Sequence, residues 1–310
     1  MKLLTKKTNF LFSVMLAFVF VSSSALAISG QIDIPEQKIV NLSTRSEKFF
    51  PPNPVLAAES SFPVISAQGV LAVDLNSGVP LYEKNPDAPL LPASTTKIIT
   101  ALVALDSYQL DQVLTVGRGA NVDGQKMGLY VGEQMRVEDL LYGLLVFSAN
   151  DAAQTLAQNY EGGYQAFVDA MNRKALELYM TNSYFDNPVG LDGNSQRSTA
   201  KDLIRASEVA MRNPEFAKIV GTKQVVVTDI TGKSRYNLRN INELLGVVPG
   251  VLGVKTGWTE NARENLVTYI ERDGHRVMIA VLGSQDRFGE TKELIDWIFG
   301  NYQWQEVNPN

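Results

Sequence analysis

Residues 265–282 read NLVTYIERDGHRVMIAVL, two apolar runs on either side of Asp273-Gly274. A two-residue hairpin needs left-handed backbone at its central positions, which Asp and Gly accept, so the spacing predicts strands over 265–271 and 275–282. Downstream, residues 290–299 form an amphipathic pattern that closes the chain as a helix. Upstream, an apolar run at 251–255 adds a strand, and 224–229 reads as another. Near the other end, 64–75 and 79–83 read as strands joined through the turn cluster Asn76-Ser77-Gly78. Helical periodicity fills the middle, over 137–147, 151–160, 164–179 and 200–211. The run after Ser94, with Ile98, Ile99, Ala101, Leu102, Val103, Ala104 and Leu105, is apolar on every face and belongs in the interior. The expected class is α/β (α+β): an antiparallel sheet built from both ends of the chain, flanked by helices, with an inserted mostly helical lobe.

The chain has 310 residues, 45% hydrophobic and 20% charged, enough for one large domain or two small ones. It contains no Cys, which excludes disulfides, thiolate metal sites and a thiol nucleophile. His275 is its one His, so no poly-His metal cage can form; no metal and no cofactor is expected. A net charge of −5 gives no basic field for nucleic acid.

Lys2, Lys6 and Lys7 precede an apolar run over 10–21, a Ser trio and Ala25-Leu26-Ala27. This is the layout of a secretory signal peptide, with a retained N-terminal anchor as the alternative for residues 1–27. Either reading places the body outside the cytoplasm. Residues 28–63 carry Pro35, Pro51, Pro52, Pro54 and Pro63 without sustained periodicity, and read as a linker.

Three short motifs carry chemistry. Ser94-Thr95-Thr96-Lys97 opens the buried helix, so the amine and hydroxyl share a face, and apolar surroundings favour the neutral, basic amine. That is a nucleophile with a built-in base. The spacing recurs by chance about once in such a chain, and Ser198-Thr199-Ala200-Lys201 is a second match, read as a helix N-cap at Ser198. Ser148-Ala149-Asn150 puts a hydroxyl and an amide on a turn between helices, suited to relaying a proton and holding a substrate amide, or simply to capping. Lys255-Thr256-Gly257 ends an apolar strand with a cation and a hydroxyl that can grip a carboxylate, beside a glycine that permits close backbone approach.

In this order, Ser-x-x-Lys, Ser-x-Asn and Lys-Thr-Gly are the signature set of penicillin-recognising serine acyl-enzymes. The flanking text resembles the low-molecular-mass D-alanyl-D-alanine carboxypeptidases. The resemblance rests on Pro92-Ala93-Ser94-Thr95-Thr96-Lys97, Ser148-Ala149-Asn150-Asp151-Ala152-Ala153 and Asn187-Pro188-Val189-Gly190-Leu191. It continues in Ser198-Thr199-Ala200-Lys201-Asp202-Leu203, Asn240-Ile241-Asn242-Glu243-Leu244-Leu245 and Lys255-Thr256-Gly257-Trp258-Thr259. It implies a β-lactamase/transpeptidase-like fold and a serine D-Ala-D-Ala peptidase domain over 64–310. It further implies that Ser94 attacks the penultimate D-Ala carbonyl of a peptidoglycan stem peptide with Lys97 as general base, and that Ser148 and Lys255 pass the proton to the departing D-Ala. Asn150 would hold the substrate amide, and Thr256 and Lys255 the terminal carboxylate. The N–H groups of Ser94 and Trp258 would form the oxyanion hole, and β-lactams would act as covalent inhibitors.

Members of that family often carry a second β-rich domain and a C-terminal amphipathic anchor. Both are expected to be missing here, so membrane attachment would rest on the N-terminal segment. Arg263 stands where the family usually has a small residue, either as a further carboxylate ligand or as a side chain facing water. A β-lactamase reading lacks its deacylating Glu-x-x-Leu-Asn between Ser148 and Lys255. The alternatives are a D,D-endopeptidase acting on cross-links and, from another class, a non-catalytic β-lactam or peptide sensor. His275 reads as a surface strand residue, Trp297 and Trp304 as packing residues, and Phe167, Met171 and Leu178 as core.

Overall fold

The computed structural model describes residues 51–57 and 60–306. The expected leader at 1–27 and most of the expected linker lie outside the described residues. In chain order the strands are β1 (Asn53–Leu56), β2 (Gly69–Asp74), β3 (Pro80–Lys84), β4 (Val113–Thr115), β5 (Gln134–Arg136), β6 (Gln224–Thr228), β7 (Arg235–Arg239), β8 (Val251–Thr259), β9 (Arg263–Arg272), β10 (His275–Ser284) and β11 (Tyr302–Gln305). The helices are α1 (Lys97–Ser107), α2 (Val137–Val146), α3 (Asn150–Gln158), α4 (Gly163–Glu177), α5 (Ala200–Met211), α6 (Pro214–Val220) and α7 (Arg287–Asn301).

The main sheet has five antiparallel strands in the order β3-β2-β10-β9-β8, and α1 to α6 are inserted between β3 and β8. Asp273 and Gly274, at φ 51° and 80°, make the β9–β10 hairpin, with His275 opposite Arg272. Both sheet faces are covered, which is why the central strands are apolar throughout rather than alternating. On β10, Met278, Ala280 and Leu282 pack into the core shared with α1 and the helical lobe. Val277, Ile279 and Val281 point to the other layer, against Leu294, Ile295 and Ile298 of α7. Each such side chain, fully buried, contributes about 1.5–3 kcal/mol. Helix α1 is buried from Lys97 through Ala104, as its all-round apolar sequence requires.

Several details depart from the sequence reading. Residues 64–68 are not strand: Ser66 and Ala67 give their N–H groups to the Glu290 carboxylate instead of to a neighbouring strand. Asn53–Leu56, within the stretch expected to be a linker, is a strand paired with Tyr302–Gln305. The cap of α5 is Thr199, whose hydroxyl accepts from Asp202 N at 3.0 Å, one residue beyond the expected Ser198. The Ser198 hydroxyl is buried and bonded to Ser183 Oγ at 2.8 Å, while Lys201 turns away to Asp87 at 3.1 Å. His275 stacks on Trp304 with ring centres 4.2 Å apart, and Trp304 Nε1 donates to Asp74 Oδ1 at 3.1 Å. Phe167 and Met171 are fully buried, with Leu178 packed beside them. Among the described residues no helix is long and apolar enough to cross a membrane.

Candidate active site

Ser94 lies on a short 3₁₀ turn, Ala93–Thr96, that runs directly into α1. Two glycines allow other segments to press against it. A Cβ on Gly257 of β8 would lie 2.9 Å from Ser94 N and 3.0 Å from Pro92 O, so only glycine lets the strand edge approach the turn this closely. A Cβ on Gly190, at φ 85°, would lie 1.9 Å from Ala93 O, so this segment too approaches the turn as closely as only glycine allows. Ala93 and Ser148 adopt left-handed backbone, at φ 47° and 62°. Such strain costs about 1–3 kcal/mol at each position and persists only where surrounding contacts enforce it.

Lys97 is one helical turn below Ser94 and has no exposed surface. Its Nζ lies 2.9 Å from Ser94 Oγ, 2.7 Å from Asn150 Oδ1 and 2.6 Å from Val189 O. A neutral amine has two N–H donors and one lone pair. Asn150 Oδ1 and Val189 O take the two donors, which leaves the lone pair for the Ser94 O–H. Burial pushes the Lys97 pKa down to about 7, with the Asp151 carboxylate opposing part of that fall. The Asn150 amide is oriented by its other end, since Nδ2 donates to Asp123 O at 2.6 Å.

Across the cleft, Lys255 Nζ donates to Ser148 Oγ at 2.8 Å and to Thr256 O at 2.8 Å. Burial first, then the charges of Lys97 and Arg287, hold the Lys255 amine well below the usual lysine range. Asp151, next to Asn150, is buried and accepts from the N–H groups of Met127, Gly128 and Leu129 at 3.1, 2.8 and 3.0 Å. It thereby pins the loop that carries Asp123 and Gln125, the two carbonyls that hold Asn150.

Ser94, Ser148, Asn150, Thr256, Gly257 and Trp258 line one cleft of about 1350 Å³, and the buried Lys97 and Lys255 reach Ser94 and Ser148 from behind its wall. Trp258 is 61% exposed on its rim. Arg263 is exposed and faces water. Another arginine occupies the wall: Arg287, whose Nη1 donates to Gly257 O at 3.3 Å and lies 3.7 Å from Glu264 Oε1. Sequence reasoning passed over it because it reads only as the first residue of a helix. Its signal is the preceding Asp286 cap, which fixes where α7 begins beside the sheet.

The family model described as D-alanyl-D-alanine carboxypeptidase matches residues 56–286. The chain is 36% identical over 242 residues to the D-alanyl-D-alanine carboxypeptidase DacB2 of Mycobacterium tuberculosis, covering 75% of this chain and 82% of that protein. It is 32% identical over 246 residues to DacF of Bacillus subtilis, covering 76% of this chain and 63% of that longer protein. Among solved structures, the Streptomyces K15 DD-transpeptidase aligns over 77% of this chain and 99% of its own, with TM-score 0.73 and 32% identity.

Proposed function

This chain belongs to the D-alanyl-D-alanine carboxypeptidase family of serine peptidases, and on that premise we propose that it removes the terminal D-Ala from peptidoglycan stem peptides through an acyl-enzyme on Ser94. The observation that carries the reading is the buried Lys97 amine, 2.9 Å from Ser94 Oγ with its pKa lowered to about 7. Lys97 takes the Ser94 proton as Oγ bonds to the penultimate D-Ala carbonyl. The N–H groups of Ser94 and Trp258 receive the developing oxyanion. The proton taken by Lys97 passes to the leaving amine through Ser148, which Lys255 hydrogen-bonds, as the C–N bond breaks, so Lys97 is neutral again. Asn150 holds the substrate amide. Thr256, Lys255 and Arg287 hold the terminal carboxylate. Water then hydrolyses the ester, with Lys97 again as base.

The segment 1–27 directs export, and the body acts at the cell wall. A β-lactam, whose carboxylate and strained amide mimic the D-Ala-D-Ala end, acylates the same Ser94. The test is release of D-Ala from a synthetic peptide ending in D-Ala-D-Ala, with Ser94→Ala alongside. Release by the wild type alone supports the reading; covalent penicillin labelling without release would turn it into a sensor.

A further inference from the structure

Hairpin β6–β7 carries two cations, Lys223 and Arg239, at its open end. Arg239 is in register with Gln224, and Asn240 N donates to Lys223 O at 2.8 Å, so Lys223 and Arg239 lie one register position apart where the two strands end. Both are exposed and both line the cleft. Among the described residues neither forms an ion pair with an acid within 4.0 Å. Glu243 and Glu260 also line the cleft, yet neither reaches them.

The loop after β7 adds two features. A Cβ at Gly246 would lie 2.1 Å from Lys223 Cε and Nζ, so the lysine rests on the loop backbone where a side chain at 246 would displace it. Asn242 lines the cleft at 5% exposure; its Oδ1 accepts from Leu244 N at 3.1 Å, which fixes the amide orientation. Its Nδ2 donor has no acceptor among the described residues. A buried donor left unused is costly, and an incoming oxygen would relieve it.

We propose that Lys223, Arg239 and Asn242 form a second carboxylate-binding subsite in the cleft wall, so that the enzyme prefers peptides carrying a free carboxylate in addition to the terminal one. This rests on the reading of the cleft as the site of D-Ala-D-Ala hydrolysis. The two cations supply attraction that salt screens, and the amide N–H supplies orientation. The carboxylate comes either from the residue preceding D-Ala-D-Ala in the same stem or from the leaving strand of a cross-linked pair.

Four peptides separate these sources: each position of the second carboxylate, and its carboxamide counterpart. In one source arm, wild-type kcat/KM for the carboxylate form should exceed that for the carboxamide by about tenfold, the effect of one charge-assisted contact, and the ratio should shrink as salt rises. The double variant Lys223→Gln, Arg239→Gln should bring the two forms within about twofold of each other. It should leave the carboxamide rate and Ser94 acylation by penicillin unchanged, which also reports that it folds. Equal wild-type rates for carboxylate and carboxamide in both arms, or a double variant that keeps the preference, would overturn the subsite alone. A wild type that releases D-Ala from none of the four peptides would instead overturn the hydrolase reading, and the subsite with it.

Discussion

Replacing Gly190 by alanine should disable Ser94 without touching it. A Cβ at Gly190 would sit 1.9 Å from Ala93 O, 2.5 Å from Ala93 C and 3.0 Å from Ser94 N. Ordinary contact begins at about 3.4 Å, so one of the two backbones must move by roughly 1.5 Å. The next residue back, Val189, supplies the carbonyl that Lys97 holds at 2.6 Å, so the same movement disturbs the base. Misplacing reacting groups by about 1 Å costs on the order of 100-fold in rate. The left-handed φ of 85° adds roughly 1–2 kcal/mol of strain for alanine, worth about 2–8 °C in Tm for a domain of this size. Gly232→Ala is the matched control: its φ is 71° and nothing lies within 4 Å of the added methyl. Stopped-flow acylation by a fluorescent penicillin should fall about 100-fold in Gly190→Ala and stay at the wild-type rate in Gly232→Ala, with both losing a few degrees of Tm. Equal acylation rates in the two variants would refute the claim that Gly190 seats the Ser94 turn.

Arg287→Gln should lower kcat/KM for D-Ala-D-Ala peptides about tenfold, mainly through KM, because one charge-assisted ligand of the carboxylate is lost; steady-state kinetics checks this. Asp151→Asn removes the anion that holds the Lys97 pKa up. Only the neutral amine is a base, so the acid limb of the acylation pH profile should move to lower pH. The same variant weakens the bonds to Met127, Gly128 and Leu129, and urea unfolding should register a loss of about 2 kcal/mol.

Much of the sheet could be read directly because its signals are local. Asp273-Gly274 fixes a hairpin by turn chemistry, and burial on both faces makes 277–282 apolar without interruption. Strand β7 escaped notice because its residues alternate exposed and buried, so RYNLR looks polar. Helix α6 is only seven residues long, and its Asn213 cap followed by Pro214 is a short signal beside the longer helical patterns. In the candidate site, residues within one helical turn or one strand end were legible because spacing alone brings them together. Arg287, Asp151 and Gly190 act across the fold, and no local pattern announces that a loop 90 or more positions away will press on Ser94. The ambiguous second Ser-x-x-Lys was resolved by packing, since the Ser198 hydroxyl is turned to Ser183 rather than to Lys201.

The account stands on Lys97 losing its proton near neutral pH, far below the free lysine range. Titrating its Nζ by nitrogen-15 NMR in lysine-labelled protein, with the resonance assigned through Lys97→Arg, measures that state directly. A deprotonation midpoint near 7, coinciding with the acid limb of Ser94 acylation, is the expected result. An ammonium that persists beyond about pH 9, close to the free lysine range, while Ser94 is still acylated would contradict it.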